Sequence, residues 1–157
     1  MMRPRSAGVL PYRWCDGRLE ILLVLPGGPY WRKRGPGAWQ IAKGAIEQGE
    51  TPELAARREA QEELGVAMPA VLLPLGSIRQ KAGKEVEAFA TELDLDPARI
   101  RSNMFELEWP RRSGRMQSFP EVAEGRWFSV SEALEQMLES QRPLIVRLAE
   151  KVGGEAP

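Results

Sequence analysis

Apolar residues come first in two dense runs, 6–14 and 19–25, separated by the turn dipeptide Asp16-Gly17. Two strand-like runs around such a dipeptide predict a β-hairpin, and Pro11 within the first run argues for an edge position or a bulge. Residues 26–38 then carry four glycines and three prolines, so a loop is expected there rather than a regular element. Between Pro52 and Leu64 the pattern becomes helical. Thr51 can cap through its hydroxyl, Pro52 suits the first helical position, Glu53 faces the positive end of the dipole, and Gly65 supplies a left-handed stop.

Beyond the helix, the apolar runs 71–79 and 85–93 flank Gln80-Lys-Ala-Gly-Lys84 and predict a second hairpin. A third strand group is expected at 104–109, 116–119 and 126–130, with Arg111-Arg-Ser-Gly114 as a turn. Ser131 is read as the cap of a short helix, and a last helix from about Pro143 to Lys151 is closed by Gly153-Gly154. Helices among hairpins, without a repeating βαβ rhythm, predict an α+β fold with a mixed or antiparallel sheet. There is no internal repeat, and the final Gly-Gly-Glu-Ala-Pro is expected to fray.

The central helix concentrates charge in an unusual way. At about 100° per residue, Glu59, Glu62 and Glu63 project within one sector, while Leu54 and Leu64 point to the opposite side and are expected to bury a leucine edge. Three carboxylates at these spacings repel one another. Two neutralisers are available. A hard cation such as Mg²⁺ suits clustered carboxylate oxygens and keeps sites for water and substrate phosphate. Alternatively, Arg57 and Arg58 neutralise an ordinary solvated face, where exposed pairs are worth under about 1 kcal/mol.

Composition narrows the choice of chemistry. At 157 residues and 43% hydrophobic content the chain suits one domain, residues 1–157, with a single core. Twenty-two basic and 22 acidic residues give zero formal charge, so no global positive field draws in long nucleic acid. There is no histidine, which removes Ser-His-Asp and Cys-His catalysis and imidazole zinc sites. Acid and base work then falls to carboxylates, lysine or metal-bound water. The lone Cys15 has no internal disulfide partner and is expected to be a plain strand-end residue of a reducing compartment. No stretch approaches the roughly 20 apolar residues of a membrane span, and the first residues lack an apolar signal core, so a cytoplasmic protein without a membrane partner is expected.

From Gly44 to Val66 the chain reads GAIEQGETPELAARREAQEELGV, with Gly44, Glu50, Arg58, Glu59, Glu62, Glu63 and Gly65 in fixed order and Ala60 and Val66 in two apolar slots. Seven fixed positions at roughly 7% each would coincide by chance about once in 10⁸ start points. This spacing resembles the signature of the Nudix hydrolases. The resemblance implies a Nudix-like α/β/α sandwich with a mixed sheet, and it favours the metal over the solvated face, because a solvated helix needs neither Gly44, Glu50 nor Gly65. It implies Glu59, Glu62 and Glu63 as catalytic metal ligands, one of them acting on a water, and the Gly44 carbonyl as a further metal contact. It also implies Glu50 paired with Arg58, and Gly44 and Gly65 in structural positions. One departure is visible: the family often has proline two residues before the glycine, where this chain has Ala42, so a slightly looser loop with intact chemistry is expected.

The family hydrolyses a pyrophosphate bond in a nucleoside diphosphate linked to another group. Mg²⁺, with Mn²⁺ as a substitute, is the implied cofactor, and a small nucleotide is the implied partner: a nucleoside triphosphate, a dinucleoside polyphosphate or a sugar nucleotide such as ADP-ribose. Exchanging Glu62 or Glu63 for Gln is expected to abolish hydrolysis with the fold intact. Family members often recruit another glutamate from a later loop; Glu121 is chosen here, with Glu124 second and Glu47 a further candidate. Lys43, beside Gly44, is placed for phosphate. Trp31 or Tyr30 can stack on a base while Arg34 meets phosphate, although the same loop also reads as an ordinary exposed basic segment. Arg111, Arg112 and Arg115 form a second basic turn, expected to be solvated, and Trp39 and Trp127 are expected in the core or a pocket wall. Outside the signature, RSAG, FELEWPRRSG and FPEVAEGRWF resemble a group of small bacterial Nudix proteins described as nucleoside triphosphate pyrophosphohydrolases. The other classes left open are a non-catalytic nucleotide-binding module, RNA 5′-end processing and, for assembly, a homodimer.

Overall fold

The computed structural model describes residues 5–30, 36–80 and 83–153. The hairpin forms as expected: β1 (Arg5–Cys15) and β2 (Arg18–Pro26) join through Asp16 and Gly17, both at positive φ. The strands pair only from Tyr12 to Cys15 and then splay apart. Into the gap comes a short strand, β3 (Ala42–Ala45), which runs antiparallel to Ser6–Val9 of β1, while Gln40 just before it bridges Val24 of β2. Strand β3 was not foreseen, because four residues including a glycine carry too little periodicity to register.

Pro11 corrects the edge expectation. On its other side β1 pairs in parallel with β5 (Glu85–Glu92) from Arg5 to Tyr12, so β1 is the centre of the sheet. The proline is accommodated because it falls where the neighbour changes from β3 to β2. The Tyr12 carbonyl accepts from Leu93 on the β5 side, so the absent N–H of Pro11, one residue earlier, is directed toward that gap. Strand β4 (Leu73–Arg79) completes the second hairpin with β5, and β8 (Val122–Ser129) pairs with β2, giving the order β4-β5-β1-β2-β8 with β3 on β1. The remaining pair, β6 (Met104–Glu108) and β7 (Met116–Pro120), forms a separate two-stranded sheet.

Helix α1 (Pro52–Leu64) has the predicted limits and covers one face of the sheet. Helices α2 (Val130–Gln136) and α3 (Arg142–Val152) cover the other, with Leu144, Ile145 and Leu148 fully buried against Leu10, Ile21 and Leu23. The three layers are the α/β/α sandwich with a mixed sheet. Helix α2 is capped by Ser129 rather than Ser131: the Ser129 hydroxyl accepts from the Glu132 amide and the Glu132 carboxylate accepts from the Ser129 amide. This reciprocal cap needs a glutamate three residues on, which Ser129 has and Ser131 lacks.

The face α1 buries also differs from expectation. Leu64 is inaccessible, but Leu54 is 56% exposed, and the contact with Ala7, Val9 and Phe89 is made by Ala55, Ala56 and Ala60. Small side chains let the helix lie close to the sheet. At about 100° per residue, Glu59 and Glu63 point into the same half as those alanines, so two carboxylates share the buried face instead of opposing it. Leu64→Ala is expected to cost about 2–5 kcal/mol of unfolding free energy and Leu54→Ala within about 0.5 kcal/mol. Denaturant titration of both variants checks this, and equal losses would refute the assigned face.

Candidate functional site

Helix α1 is a rigid mount. The Thr51 hydroxyl accepts from the Leu54 amide at 3.2 Å, and Gly65, at φ 77°, ends the helix by donating to the Gln61 carbonyl at 2.8 Å. From this mount Glu59 and Glu63 project one turn apart and meet Glu121, from the turn between β7 and β8, with one carboxylate oxygen from each lying within 4.8 Å of the others. The Glu121 backbone is tied from both sides: its amide donates to the Asn103 carbonyl at 2.8 Å and its carbonyl accepts from Gly27 at 3.0 Å. Asn103 in turn donates to the Glu62 carbonyl at 2.9 Å, so the last turn of α1 sets where Glu121 stands.

The cluster is electrostatically strained. Burial pushes the Glu63 carboxyl up to about 9, and Glu59 and Glu121 add to the rise, while Lys43 opposes it. Burial also raises Glu59, against the hydrogen bond from Arg58, and raises Glu121, with Glu59 and Glu62 contributing. Like charges packed this closely favour neutralisation, and a set of oxygen donors fits a hard divalent cation. The residues present therefore fit such an ion.

Arg58 holds the loop before the helix to this cluster. Its Nε and Nη2 donate to the two Glu50 oxygens at 2.8 and 2.9 Å, Nη2 also donates to the Ala45 carbonyl at 3.0 Å, and Nη1 donates to Glu59 at 2.8 Å. Paired in this way and accepting the Glu47 amide, Glu50 is held down at about 2. The fork geometry of guanidinium makes one arginine sufficient for both tasks. Gly44 passes so close that a Cβ there would occupy the space of the Glu59 carboxylate, so any side chain at this position would displace Glu59.

Other candidates are distributed unevenly. Glu62 stands outside the compact trio, with Arg58 Nη1 at 3.3 Å, and lines an adjoining cleft with Arg101 and Asn103. Lys43 lines the same cleft as the trio, and burial lowers its ammonium while Glu63 and Glu59 raise it. Glu124 pairs with Arg126 at 3.1 Å, and Glu47 is largely exposed at 3.8 Å from Arg58, so neither joins the cluster. Arg111 folds over the Tyr30 ring at 5.2 Å and donates to its hydroxyl at 3.3 Å. Trp39 is buried edge-on to Phe128, and Trp127 is half-buried with its indole N–H on the Leu95 carbonyl. Trp31 and Arg34 lie outside the described residues, as does the chain end beyond Gly153. The cleft above the trio has a volume of about 380 Å³, and Gln40 and Phe105 also line it. Neither was singled out in the sequence; the only signal for Gln40 was its position between the apolar Trp39 and Ile41.

The profile of the NUDIX domain matches residues 2–148. Nudix hydrolase 25 of Arabidopsis thaliana is 31% identical over 121 residues, covering 69% of this chain and 67% of that protein. The RNA pyrophosphohydrolase of Vibrio vulnificus is 30% identical over 142 residues, covering 84% of this chain and 83% of that protein. Among solved structures, the NUDIX domain of Shewanella oneidensis NrtR, complexed with ADP ribose, superposes with a TM-score of 0.68 over 97% of this chain and 90% of that one, at 16% identity. No helix among the described residues is long and apolar enough to cross a membrane. With the signature glutamates, arginine and glycines all in place, this chain belongs to the Nudix hydrolase family and is an enzyme that hydrolyses phosphorus-containing acid anhydrides.

Proposed function

We propose that the chain hydrolyses the pyrophosphate bond of a soluble nucleoside diphosphate derivative, such as a nucleoside triphosphate, a dinucleoside polyphosphate or an ADP-sugar, with Mg²⁺ as its resident cation and Mn²⁺ as a substitute. The observation that carries this reading is the meeting of Glu59, Glu63 and Glu121 at the floor of a cleft of about 380 Å³. In this reading Glu59, Glu63 and Glu121 hold the cation with the Gly44 carbonyl beside them, and Glu62, paired with Arg58 outside the trio, joins them as a ligand by turning from Arg58 toward the cleft. When bound, a divalent ion neutralises phosphate oxygens and lowers the pKa of a coordinated water.

The chain's own residues supply the rest. Arg58 fixes one oxygen of Glu59, and Glu59 lines the cleft. A carboxylate of the cluster takes the proton of the attacking water as its oxygen bonds to phosphorus, and the bond from phosphorus to the bridging oxygen breaks. Lys43 lines the cleft, which supports a role for its ammonium in meeting the charge on a phosphate. The free, exposed Cys15 accords with a cytoplasmic setting, which we propose as the compartment.

A panel of nucleotides assayed with Mg²⁺ or Mn²⁺, with both products identified, tests the reading. Turnover is expected with either ion and is expected to vanish on chelation with EDTA. Turnover that survives complete chelation would overturn it. A second reading, removal of pyrophosphate from RNA 5′ ends, is favoured by the similarity to the Vibrio vulnificus protein over 84% of this chain. Contacts along a polymer would make its kcat/KM fall steeply between about 50 and 200 mM salt, whereas turnover of a mononucleotide changes far less.

A further inference from the structure

Above the acidic floor, the cleft has a wall that the hydrolytic chemistry does not use. Strand alternation places it. Trp39 and Ile41 enter the core beneath α2 and α3, so Gln40 between them faces the α1 side together with Val24, its bridge partner. Gln40 is 8% exposed and lines the cleft, yet its side-chain amide has no hydrogen-bond partner among the described residues. A nearly buried amide presented to a cavity is a donor and an acceptor held ready for a ligand. The cleft also carries an aromatic ring. Phe105 of β6 lines the same cleft, packed so near Gly28 that a Cβ there would be 3.0 Å from the ring. Val24, Pro26 and Gly27 complete an apolar surround.

Gln40 and Gly44 line the same cleft, so one bound molecule can reach both the Gln40 amide and the acidic floor.

We infer that this wall is the nucleobase subsite, in which Phe105 stacks on a purine and the Gln40 amide reads its edge, selecting adenine over guanine. The direction of selection comes from hydrogen-bond matching. A glutamine amide pairs bidentately with the adjacent N6 donor and N7 acceptor of adenine, whereas the corresponding edge of guanine offers two acceptors. This inference rests on the pyrophosphohydrolase reading and adds its substrate class: adenine nucleotides.

The test compares kcat/KM for ATP, GTP, CTP and ADP-ribose with Mg²⁺ in the wild type and in the variants Gln40→Leu, Gln40→Met and Phe105→Leu. The wild type is expected to prefer ATP to GTP, and Gln40→Leu to reduce that ratio by roughly tenfold to a hundredfold, mainly through KM. Gln40→Met, which keeps the length of the side chain and loses both donor and acceptor, should reduce it as well. Phe105→Leu should weaken purines more than CTP. Thermal melting of each variant confirms folding, and if Gln40→Leu is unfolded, the Gln40→Met ratio decides. A wild type indifferent to the base, a guanine preference, or an ATP/GTP ratio unchanged by both Gln40 variants would overturn the subsite. Because those outcomes leave metal-dependent turnover intact, they are distinct from failure of the hydrolase reading, in which no nucleotide is cleaved by any variant.

Discussion

Glu63→Gln is expected to yield a folded protein that has lost roughly 10²–10⁴ of its turnover, the range associated with removing a positioned acid or base, and that is more stable than the wild type in the absence of metal. The two effects share one cause. Glu63 is 8% exposed beside Glu59 and Glu121, and its carboxyl is pushed up to about 9 from 4.5. An elevated carboxyl is neutral in the folded protein at pH 7 and ionised in the unfolded chain, so the unfolded state binds fewer protons. Metal-free wild type should therefore lose stability as pH rises from about 4.5 to about 9. Its deficit at pH 7 is on the order of 3 kcal/mol.

Glutamine has no charge to suppress, so the variant's stability should be flatter across that window. Melting curves from pH 4.5 to 9, with and without Mg²⁺, check this. Mg²⁺ should stabilise the wild type increasingly with pH and the variant little. Glu62→Gln should also lose turnover, but it should gain no stability, since Glu62 is 34% exposed and paired with Arg58. A Glu63→Gln protein with wild-type turnover would remove the basis of the assignment.

The second large effect is expected from adding one methyl group. In Gly44→Ala the new Cβ would take the space of the Glu59 carboxylate. Glu59 must then turn away, losing both its Arg58 partner at 2.8 Å and its place among the three acids. A displacement of about 1 Å at a reacting group is worth on the order of 10²-fold in rate, while the stability cost falls at the low end of the about 1–3 kcal/mol of overpacking, because the atoms displaced are the end of a flexible side chain. A double variant separates the causes. In Gly44→Ala/Glu59→Ala the collision is gone, so most of the stability should return while activity stays low. If the double variant is as unstable as the single one, the contact with Glu59 is not the reason for glycine at this position.

Much of this machinery was legible along the chain. The limits of α1, its cap at Thr51 and its stop at Gly65 follow from nearest-neighbour chemistry, and the Arg58–Glu50 pair was implied by the family signature; all appear in the structure. The hairpins were equally readable, because apolar runs broken by Gly and Pro depend little on distant contacts. The misses share the opposite property. Leu54 and Leu64 look alike in a helical projection, and only the close approach of the sheet decides that alanines make the contact and that Leu54 stays exposed. Pro11 tolerates a central strand only because β3 and β2 succeed one another beside it.

The same division separates the chemistry from its setting. The chain order alone gathers Glu59, Glu62 and Glu63, because an α-helix of fixed period brings glutamates three and four residues apart into one sector whatever surrounds it, and the reaction class came with the resemblance of Gly44–Val66 to the Nudix signature. Tertiary structure decided which acids crowd together and how strongly. It brought Glu121 rather than Glu124 to the trio through bonds to Gly27 and Asn103, buried Glu63, and turned Gln40 toward the cleft. Those outcomes depend on residues far apart in the chain meeting across a sheet, and side-chain burial there is a property of the packed layers rather than of any local stretch.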